Sequence, residues 1–516
     1  MSRIVILTIS LFATVHLSAG QATSITGAPV ERELYNLGTL RGRRVRVNAE
    51  PTDARDPVVE EADVFLGVPF ALPPVGEQRF RKPSPPQPWR GVREASRFGP
   101  ACLSPSLPPT HPADQSEDCL YLNVFAPATP SRGQSRPPNG YPVLMFIHGG
   151  AYTFGSASQF DPHVIANRLV SKGVVYVTVN YRLHFLGFLS TGDSEAPGNF
   201  ALWDNLAALQ WVNRHIRAFG GDPNRVTVSG QSAGSGLTHY LALSPLTDGL
   251  IHGAIVMSGN LPMAAKSIMR QQVSLLASSV NCPVEPSFAL LRCLRQKSWS
   301  ELRDGYFSGF SVSDLGSWIP VQDEEFLPAP RYELIRNSKS IPIMAGYTQL
   351  EALYDFILKV LQGASDSLFI KDIVDFVRRK RESGSDVWMY QFDSFNPEIP
   401  PLRGSFVKGA FHVIDIANLF YPDLIGQEDR RVAELYSGMH ADFAKFGRPT
   451  ENTGDWCKTS SCKPDRCLRI NVEPFMFDKC GTKAYQVWVE IIPNLLKRHG
   501  LPPPEFVVAN TGRREW

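Results

Sequence analysis

The stretch Val226-Thr-Val-Ser-Gly-Gln-Ser-Ala-Gly-Ser235 decides how this chain folds. Its first part alternates β-branched residues, which is typical of a strand, and the strand pattern stops at Gly230. Ser232 follows inside a G-x-S-x-G pattern, whose small residues permit a sharp turn from strand to helix. On such a turn the serine hydroxyl stands exposed at the end of a sheet. The alternative is an ordinary Gly/Ser loop, because so short a pattern also occurs by chance.

Further apolar runs predict the strands on either side of this turn. They lie at 64–68, 142–148, 174–179, 254–257, 341–345 and 386–392. Most lack strict alternation, which suits strands that are buried on both faces. Helical patterns lie between and after them, at 200–218, 430–446 and 486–496. This alternation predicts an α/β fold with a large, mostly parallel central sheet that is flanked by helices on both faces.

A sheet of this kind carries its functional residues on the loops at the carboxyl ends of its strands. The order expected for this layout is serine, then an acid, then histidine. His239 and His252 follow Ser232 too soon to leave room for the strand that carries the acid. His440 and His499 sit within or just beyond helical patterns, and we predict both at the surface. His412 follows the last buried strand and is the predicted base.

The remaining parts of the predicted site also follow strands. Glu351 and Asp355 come shortly after the strand at 341–345 and are the candidate acids. Gly149 and Gly150 end the strand at 142–148, where their backbone N–H groups could stabilise an oxyanion together with that of Ala233. The alternative for the glycine pair is a plain turn.

The net charge, the N-terminal segment and the polar C-terminal end together indicate a protein of the secretory pathway. The 516 residues carry a net charge of +2, and no basic run indicates nucleic-acid binding. Residues 1–20 predict a signal peptide, with Arg3 before a short apolar run and small residues at Ser18-Ala-Gly20. No later run is long and apolar enough to span a bilayer, and the polar end at 511–516 predicts no lipid anchor. We therefore expect a secreted or lumenal protein without a membrane anchor.

The chain has eight cysteines, which fits an oxidising compartment. Two pairs are close in sequence and would close small loops, Cys102 with Cys119 and Cys282 with Cys293. The other four can pair in three ways, and they are Cys457, Cys462, Cys467 and Cys480. Their loose spacing, without a C-x-x-C pattern, favours disulfides over a zinc site.

Four motifs together resemble the type-B carboxylesterase/cholinesterase family of α/β-hydrolases. The run at 219–234 is similar to the serine signature of that family, and Glu117-Asp-Cys-Leu-Tyr-Leu-Asn-Val124 to its second signature. His148-Gly-Gly150 resembles its oxyanion loop, and Gly409-Ala-Phe-His-Val-Ile-Asp415 its histidine motif. The resemblance covers nearly all of residues 21–516.

The resemblance implies a serine esterase that cleaves small carboxylic esters and needs no metal or organic cofactor. It implies a catalytic triad of Ser232, Glu351 and His412. It also implies the disulfides Cys102–Cys119 and Cys282–Cys293.

Three departures narrow this expectation. Residues 103–118 lack the aromatic residue with which cholinesterases of the family bind choline, and Gln231 stands where those enzymes carry glutamate. Both changes weaken attraction for a quaternary ammonium group. The chain is also shorter than the family pattern between about 354 and 366. A catalytically impaired binding or adhesion protein therefore remains an alternative, as do an acyltransferase and a lipase.

Overall fold

The structure is a computed structural model of the chain. It describes residues 24–48, 59–105, 114–128, 136–259, 261–308, 316–349, 351, 369–394, 410, 412, 414–422, 425, 427–449, 456 and 466–477. The predicted signal peptide at 1–20, the shortened segment at about 354–366, Asp355 and the helical pattern at 486–496 lie outside the described residues.

The strands in these ranges form one large sheet and one small sheet. They are β1 Ala28–Leu34, β2 Gly38–Arg46, β3 Glu61–Pro69, β4 Val92–Glu94, β5 Ala101–Cys102, β6 Gln115–Ser116, β7 Tyr121–Pro127, β8 Tyr141–Ile147, β9 Val175–Val179, β10 Gly221–Gln231, β11 Gly253–Met257, β12 Ile343–Thr348, β13 Val387–Phe392, β14 Cys467–Ile470 and β15 Phe475–Phe477. The large sheet has the order β1-β2-β3-β7-β9-β8-β10-β11-β12-β13-β14-β15, and β4 pairs with β2. The small sheet joins β5 to β6.

The centre of the large sheet is parallel, as the sequence predicts. Strands β9, β8, β10, β11, β12, β13 and β14 all run in one direction. Strands β1, β2, β3, β7 and β9 pair antiparallel on one side, and β15 pairs antiparallel on the other. The carboxyl ends of β8, β10 and β12 therefore lie along the same edge of the sheet, where a parallel sheet carries its site.

Strand β8 explains why the apolar runs lack alternation. Val143, Met145 and Ile147 pack into one buried cluster, while Leu144 and Phe146 pack into a second cluster on the opposite face. Successive side chains of a strand point to opposite faces. A strand that is covered on both sides must therefore be apolar throughout.

Helices supply the cover on both faces. They are α1 Pro162–Arg168, α2 His184–Phe188, α3 Phe200–His215, α4 Ala233–Leu243, α5 Lys266–Ser279, α6 Ser287–Gln296, α7 Trp299–Phe307, α8 Arg331–Asn337, α9 Phe369–Glu382, α10 Ile414–Phe420 and α11 Gln427–Phe446. Leu209 of α3 and Leu237 of α4 belong to the first cluster. Ile165 of α1, Leu419 of α10 and Phe443 of α11 belong to the second.

Several predicted boundaries differ from the structure by one to three residues, and two of them have a clear local description. Helix α3 ends at His215 rather than 218, because the chain tightens into a 3-10 turn at Ile216–Phe219 and reverses at Gly220 with φ of 82°. Strand β12 begins at Ile343, two residues later than the apolar run, which starts at Ile341. In the ranges that the structure describes, no helix is long and apolar enough to cross a bilayer.

Gly234 offers a test of the close packing between α4 and β8. A Cβ atom there would lie 2.1 Å from the carbonyl oxygen of Ile147, which belongs to a central strand and cannot move easily. We expect Gly234→Ala to lower the free energy of unfolding by about 1–3 kcal/mol. The urea midpoint of the purified variant measures this loss.

Gly438→Ala is the matched control, since a Cβ at this position in α11 would meet no atom within 4 Å. We expect this change to raise the free energy of unfolding by about 0.5–1 kcal/mol, because alanine has less freedom than glycine in the unfolded chain. Equal midpoints for the two variants would contradict this close packing of α4 against β8.

Candidate active site

Ser232 occupies a strained turn between β10 and α4. Its backbone angles are φ 56° and ψ −123°, a combination that non-glycine residues rarely adopt. Its N–H donates to the carbonyl of Met257 at 2.9 Å, which ties the turn to the end of β11. A Cβ atom at Gly230 would lie 2.2 Å from the carbonyl oxygen of Gly234. The turn therefore depends on small residues around the serine, as the G-x-S-x-G pattern predicts.

His412 lies between Ser232 and Glu351. Its Nε2 atom is 2.9 Å from Oγ of Ser232, and its Nδ1 atom is hydrogen-bonded to Oε1 of Glu351. Ser232 is 4% exposed, His412 2% and Glu351 0%, so bulk water does not compete for these hydrogen bonds. The structure thus brings the three residues into one hydrogen-bonded series. Proton transfer from a serine hydroxyl to an imidazole requires this contact.

Thr348 fixes the other oxygen of Glu351. Oε2 of Glu351 accepts from the Thr348 N–H at 3.0 Å and from the Thr348 hydroxyl at 2.6 Å. Burial acts to raise the pKa of Glu351, but His412 and the two Thr348 donors outweigh it and hold that pKa below the ordinary value. The carboxylate form is therefore favoured opposite Nδ1 of His412. The sequence patterns do not single out Thr348, although a polar residue at the end of a buried strand is a usable signal.

Two of the predicted oxyanion residues, Gly149 and Ala233, lie next to Ser232. A Cβ atom at Gly149 would lie 3.1 Å from Cβ of Ser232, so the loop after β8 packs directly against the serine. Gly150 has a φ of 121°, which favours glycine. Among the described residues, the N–H groups of Gly149 and Gly150 have no hydrogen-bond acceptor. Ala233 opens α4, where the first N–H groups have no partner within the helix.

Three other histidines lie apart from this series. His239 is buried, and its Nδ1 bonds to the carbonyl of Ser235 at 2.8 Å. His440 is also buried, and the prediction that it lies at the surface is wrong. Helix α11 packs against the sheet, and Nε2 of His440 is 3.3 Å from the sulfur of Met257. Nδ1 of His252 accepts from the Val226 N–H at 3.3 Å, near the start of the apolar part of β10.

A second carboxyl group lies near Glu351. Asp415 is in the first turn of α10 and is 0% exposed. Burial, and then the negative charge of Glu351, raises the pKa of Asp415 to about 7. In the sequence, Asp415 belongs to the histidine motif, three places after His412. Its burial depends on α10 packing against α11, which local sequence does not reveal.

Two disulfides form in the described part of the chain, Cys102–Cys119 and Cys282–Cys293. Cys467 is also disulfide-bonded. Cys457, Cys462 and Cys480 lie outside the described residues. The described residues contain no group of three or more His, Cys, Asp or Glu side chains that could hold a metal ion.

The model of the carboxylesterase family matches residues 30–362 and 355–488. The chain belongs to the carboxylesterase family. This membership identifies the chain as a carboxylic ester hydrolase with the α/β-hydrolase fold.

Individual members of the family are similar along most of the chain. Carboxylesterase 5A of Mus musculus is 38% identical, over 92% of this chain and 91% of the relative. The acylcarnitine hydrolase of Mus musculus is 39% identical, over 84% of this chain and 87% of the relative. Neuroligin-3 of Mus musculus is 34% identical over 68% of this chain, which corresponds to 46% of that relative.

Asp415 gives this carboxylesterase a stability that depends on pH. Its pKa rises from the ordinary 3.8 to about 7 in the folded state. Between these values the folded state holds a proton that the unfolded state has lost, so stability falls as the pH rises. We expect Asp415→Asn to remove this loss and to be more stable than the wild type at pH 8, by up to about 4 kcal/mol.

Urea unfolding of both proteins at pH 4 and pH 8 measures the effect. The two free energies of unfolding should be close at pH 4, because Asp415 is protonated in the folded wild type there. A difference that is the same at both pH values would contradict the predicted burial of a titrating carboxyl group.

Proposed function

We propose that this protein is a secreted serine carboxylesterase that hydrolyses carboxylic esters through an acyl-enzyme intermediate. Ser232 is the proposed nucleophile, His412 the general base and acid, and Glu351 the residue that orients His412. One observation carries the proposal, the continuous hydrogen bonding from Oγ of Ser232 through His412 to Glu351. An isolated serine is a poor nucleophile at neutral pH, and an adjacent base activates it.

In the first half of the reaction, His412 accepts the hydroxyl proton of Ser232 as Oγ attacks the ester carbonyl. The positive charge that develops on the imidazole faces the Glu351 carboxylate, whose position the two Thr348 hydrogen bonds fix. Protonated His412 then gives its proton to the departing alcohol. In the second half, His412 takes a proton from water as the water attacks the acyl-enzyme. His412 then returns that proton to Oγ of Ser232 as the carboxylic acid leaves.

Gly149, Gly150 and Ala233 are the proposed oxyanion donors. The space at Gly149, where an added Cβ would lie 3.1 Å from Cβ of Ser232, and the start of α4 at Ala233 support this assignment. Fixed N–H groups stabilise charge on the former carbonyl oxygen without having to reorient during the reaction. Loss of one such donor typically raises the barrier by ~2.7–4 kcal/mol.

The residues next to the site favour uncharged esters over choline esters. Gln231 precedes Ser232 and is 1% exposed, so this position carries no negative charge toward a cationic substrate. The absence of aromatic residues from 103–118 removes a further attraction for a quaternary ammonium group.

Secretion is part of the proposal. The two disulfides support an oxidising compartment, because such bonds are rare in reducing cytosol. The predicted signal peptide at 1–20 leads to the same compartment.

The alternatives use the same fold. A binding or adhesion protein would need no intact triad, and the buried Ser232–His412 contact argues against that role. An acyltransferase would share the acyl-enzyme but pass the acyl group to another alcohol. A lipase would be activated at a lipid interface, whereas preference for dissolved short-chain esters would count against that activity.

The serine provides the direct test. We expect the wild type to hydrolyse p-nitrophenyl acetate, and Ser232→Ala to lower kcat by at least about a thousand-fold because the nucleophile is gone. An organophosphate probe should label the wild type at Ser232 and leave the variant unlabelled. Equal rates for the two proteins would exclude the proposed mechanism.

Thr348 provides a graded test of how Glu351 is held. Thr348→Val keeps the shape but removes the 2.6 Å hydroxyl donor to the carboxylate. A hydrogen bond to a charged group contributes roughly 1.5–3 kcal/mol, so we expect kcat to fall about ten-fold or more with KM unchanged. Thr348→Ser retains the hydroxyl and should keep most of the activity. Similar losses in both variants would argue against a role for this hydrogen bond.

A further inference from the structure

Two buried aromatic side chains lie next to the proposed oxyanion loop, and the proposed mechanism uses neither of them. Strands β8 and β9 pair in parallel as far as Ile147 and Val179, so His148 and Tyr181 leave the sheet close together. Their rings stack with centroids 4.4 Å apart and with an angle of 20° between the ring planes. Both side chains are buried, so bulk water does not compete for their hydrogen bonds.

Each of these side chains holds one carbonyl group of the loop. The Tyr181 hydroxyl donates to the carbonyl oxygen of His148 at 2.9 Å. Nδ1 of His148 lies 2.8 Å from the carbonyl oxygen of Gly149. A carbonyl oxygen can only accept, so Nδ1 carries the proton in this hydrogen bond. The pair thus holds two successive peptide groups, 148–149 and 149–150.

The direction of each carbonyl group fixes the direction of the N–H group that follows it. Both peptide bonds are trans, and in a planar trans peptide group the C=O and the N–H point in opposite directions. The bond from Tyr181 therefore directs the Gly149 N–H away from the Tyr181 hydroxyl. In the same way, the bond from His148 directs the Gly150 N–H away from Nδ1. These two N–H groups are two of the three proposed oxyanion donors.

Two glycines leave the space that these hydrogen bonds need. A Cβ atom at Gly155 would lie 2.5 Å from the carbonyl oxygen of Gly149 and 2.6 Å from Nδ1 of His148. A Cβ atom at Gly234 would lie 2.5 Å from the carbonyl oxygen of His148. A side chain at either position would displace the atoms that form the two bonds. The surrounding backbone is therefore fitted to this arrangement of the loop.

We propose that Tyr181 and His148 are positioning residues that hold the Gly149 and Gly150 N–H groups in the orientation that stabilises the oxyanion. The inference rests on the proposed function, because it requires an oxyanion to form next to Ser232. Donors that are fixed before the reaction need no reorientation when charge develops on the substrate oxygen. Without the Tyr181 hydroxyl, the His148–Gly149 peptide group can rotate, and the Gly149 N–H then loses its fixed direction.

A matched pair of tyrosine substitutions separates this role from a purely structural one. Tyr181→Phe keeps the ring that stacks on His148 and removes the hydroxyl that donates to it. Tyr240→Phe is the control, because the Tyr240 hydroxyl in α4 donates to another backbone carbonyl, that of Pro262, also at 2.9 Å. Both changes remove the same kind of hydrogen bond, so we expect similar shifts of the urea midpoint.

Activity should distinguish the two variants. After subtraction of the Ser232→Ala rate, we expect kcat for p-nitrophenyl acetate to fall about ten-fold in Tyr181→Phe and by less than about two-fold in Tyr240→Phe. KM should stay nearly constant in both, because the ground-state ester carries no oxyanion.

A trifluoromethyl ketone inhibitor reports on the oxyanion directly. Oγ of Ser232 bonds to the ketone carbon, the hydroxyl proton passes to His412, and the ketone oxygen becomes an oxyanion. We expect the inhibition constant to rise about ten-fold in Tyr181→Phe, in parallel with the loss of kcat, and to stay near the wild-type value in Tyr240→Phe.

Equal losses of activity in the two variants would overturn the inference while leaving the proposed function intact. Wild-type affinity of Tyr181→Phe for the ketone would have the same meaning. If the wild type shows no hydrolysis beyond that of Ser232→Ala, the proposed function fails and this inference fails with it.

The wild type offers a further test that does not depend on how a variant folds. In a crystal structure of its complex with the ketone, we expect the Gly149 and Gly150 N–H groups to donate to the ketone oxygen. The Tyr181 hydroxyl should still donate to the His148 carbonyl. A ketone oxygen beyond the reach of both N–H groups, or a His148 carbonyl that is turned away from Tyr181, would overturn the proposal.

Discussion

His412 is held between two buried partners that the chain supplies from distant positions. Ser232 lies 180 residues before it and Glu351 lies 61 residues before it. Each partner follows the end of a different parallel strand, so the hydrogen-bonded series can exist only when β10 and β12 are already in register with β11 between them. Contacts of such sequence separation form late and require the assembled sheet. The chemistry of the site therefore depends on the cooperative folding of the whole α/β core.

The packed core holds the turn at Ser232 in a strained backbone conformation. A non-glycine residue with φ of 56° costs of order 1–3 kcal/mol and persists only where its surroundings enforce it. The bond to Met257 and the tight contacts at Gly230 and Gly234 provide that enforcement. In return, the hydroxyl is directed away from the backbone toward His412. Strain at the nucleophile is thus balanced by packing in strands that do not touch the substrate.

The sequence predicts the architecture well because apolar runs and a glycine-bracketed serine are local signals. Chain order and the position after the last buried strand select His412 from several histidines, and the structure brings it to Ser232. Thr348 escapes prediction because its role depends on the geometry of one turn after β12. The prediction that His440 lies at the surface is wrong because a helical pattern does not tell which polar residue faces the sheet. The buried state of Asp415 likewise arises from contacts between elements far apart in the chain.

Successive side chains of β8 enter two different apolar clusters, and this affects how the register of the strand is fixed. A strand with one wet face is kept in register by polarity, since a slip of one residue would bury its polar side chains. Polarity does not fix the register of β8 in this way, because both of its faces are apolar. A strand shifted by one residue would be equally well buried. The glycine fit at its end, where Gly234 meets the Ile147 carbonyl, distinguishes the correct alignment from its neighbours. The turn that carries Ser232 thus also helps to fix the register of the central sheet.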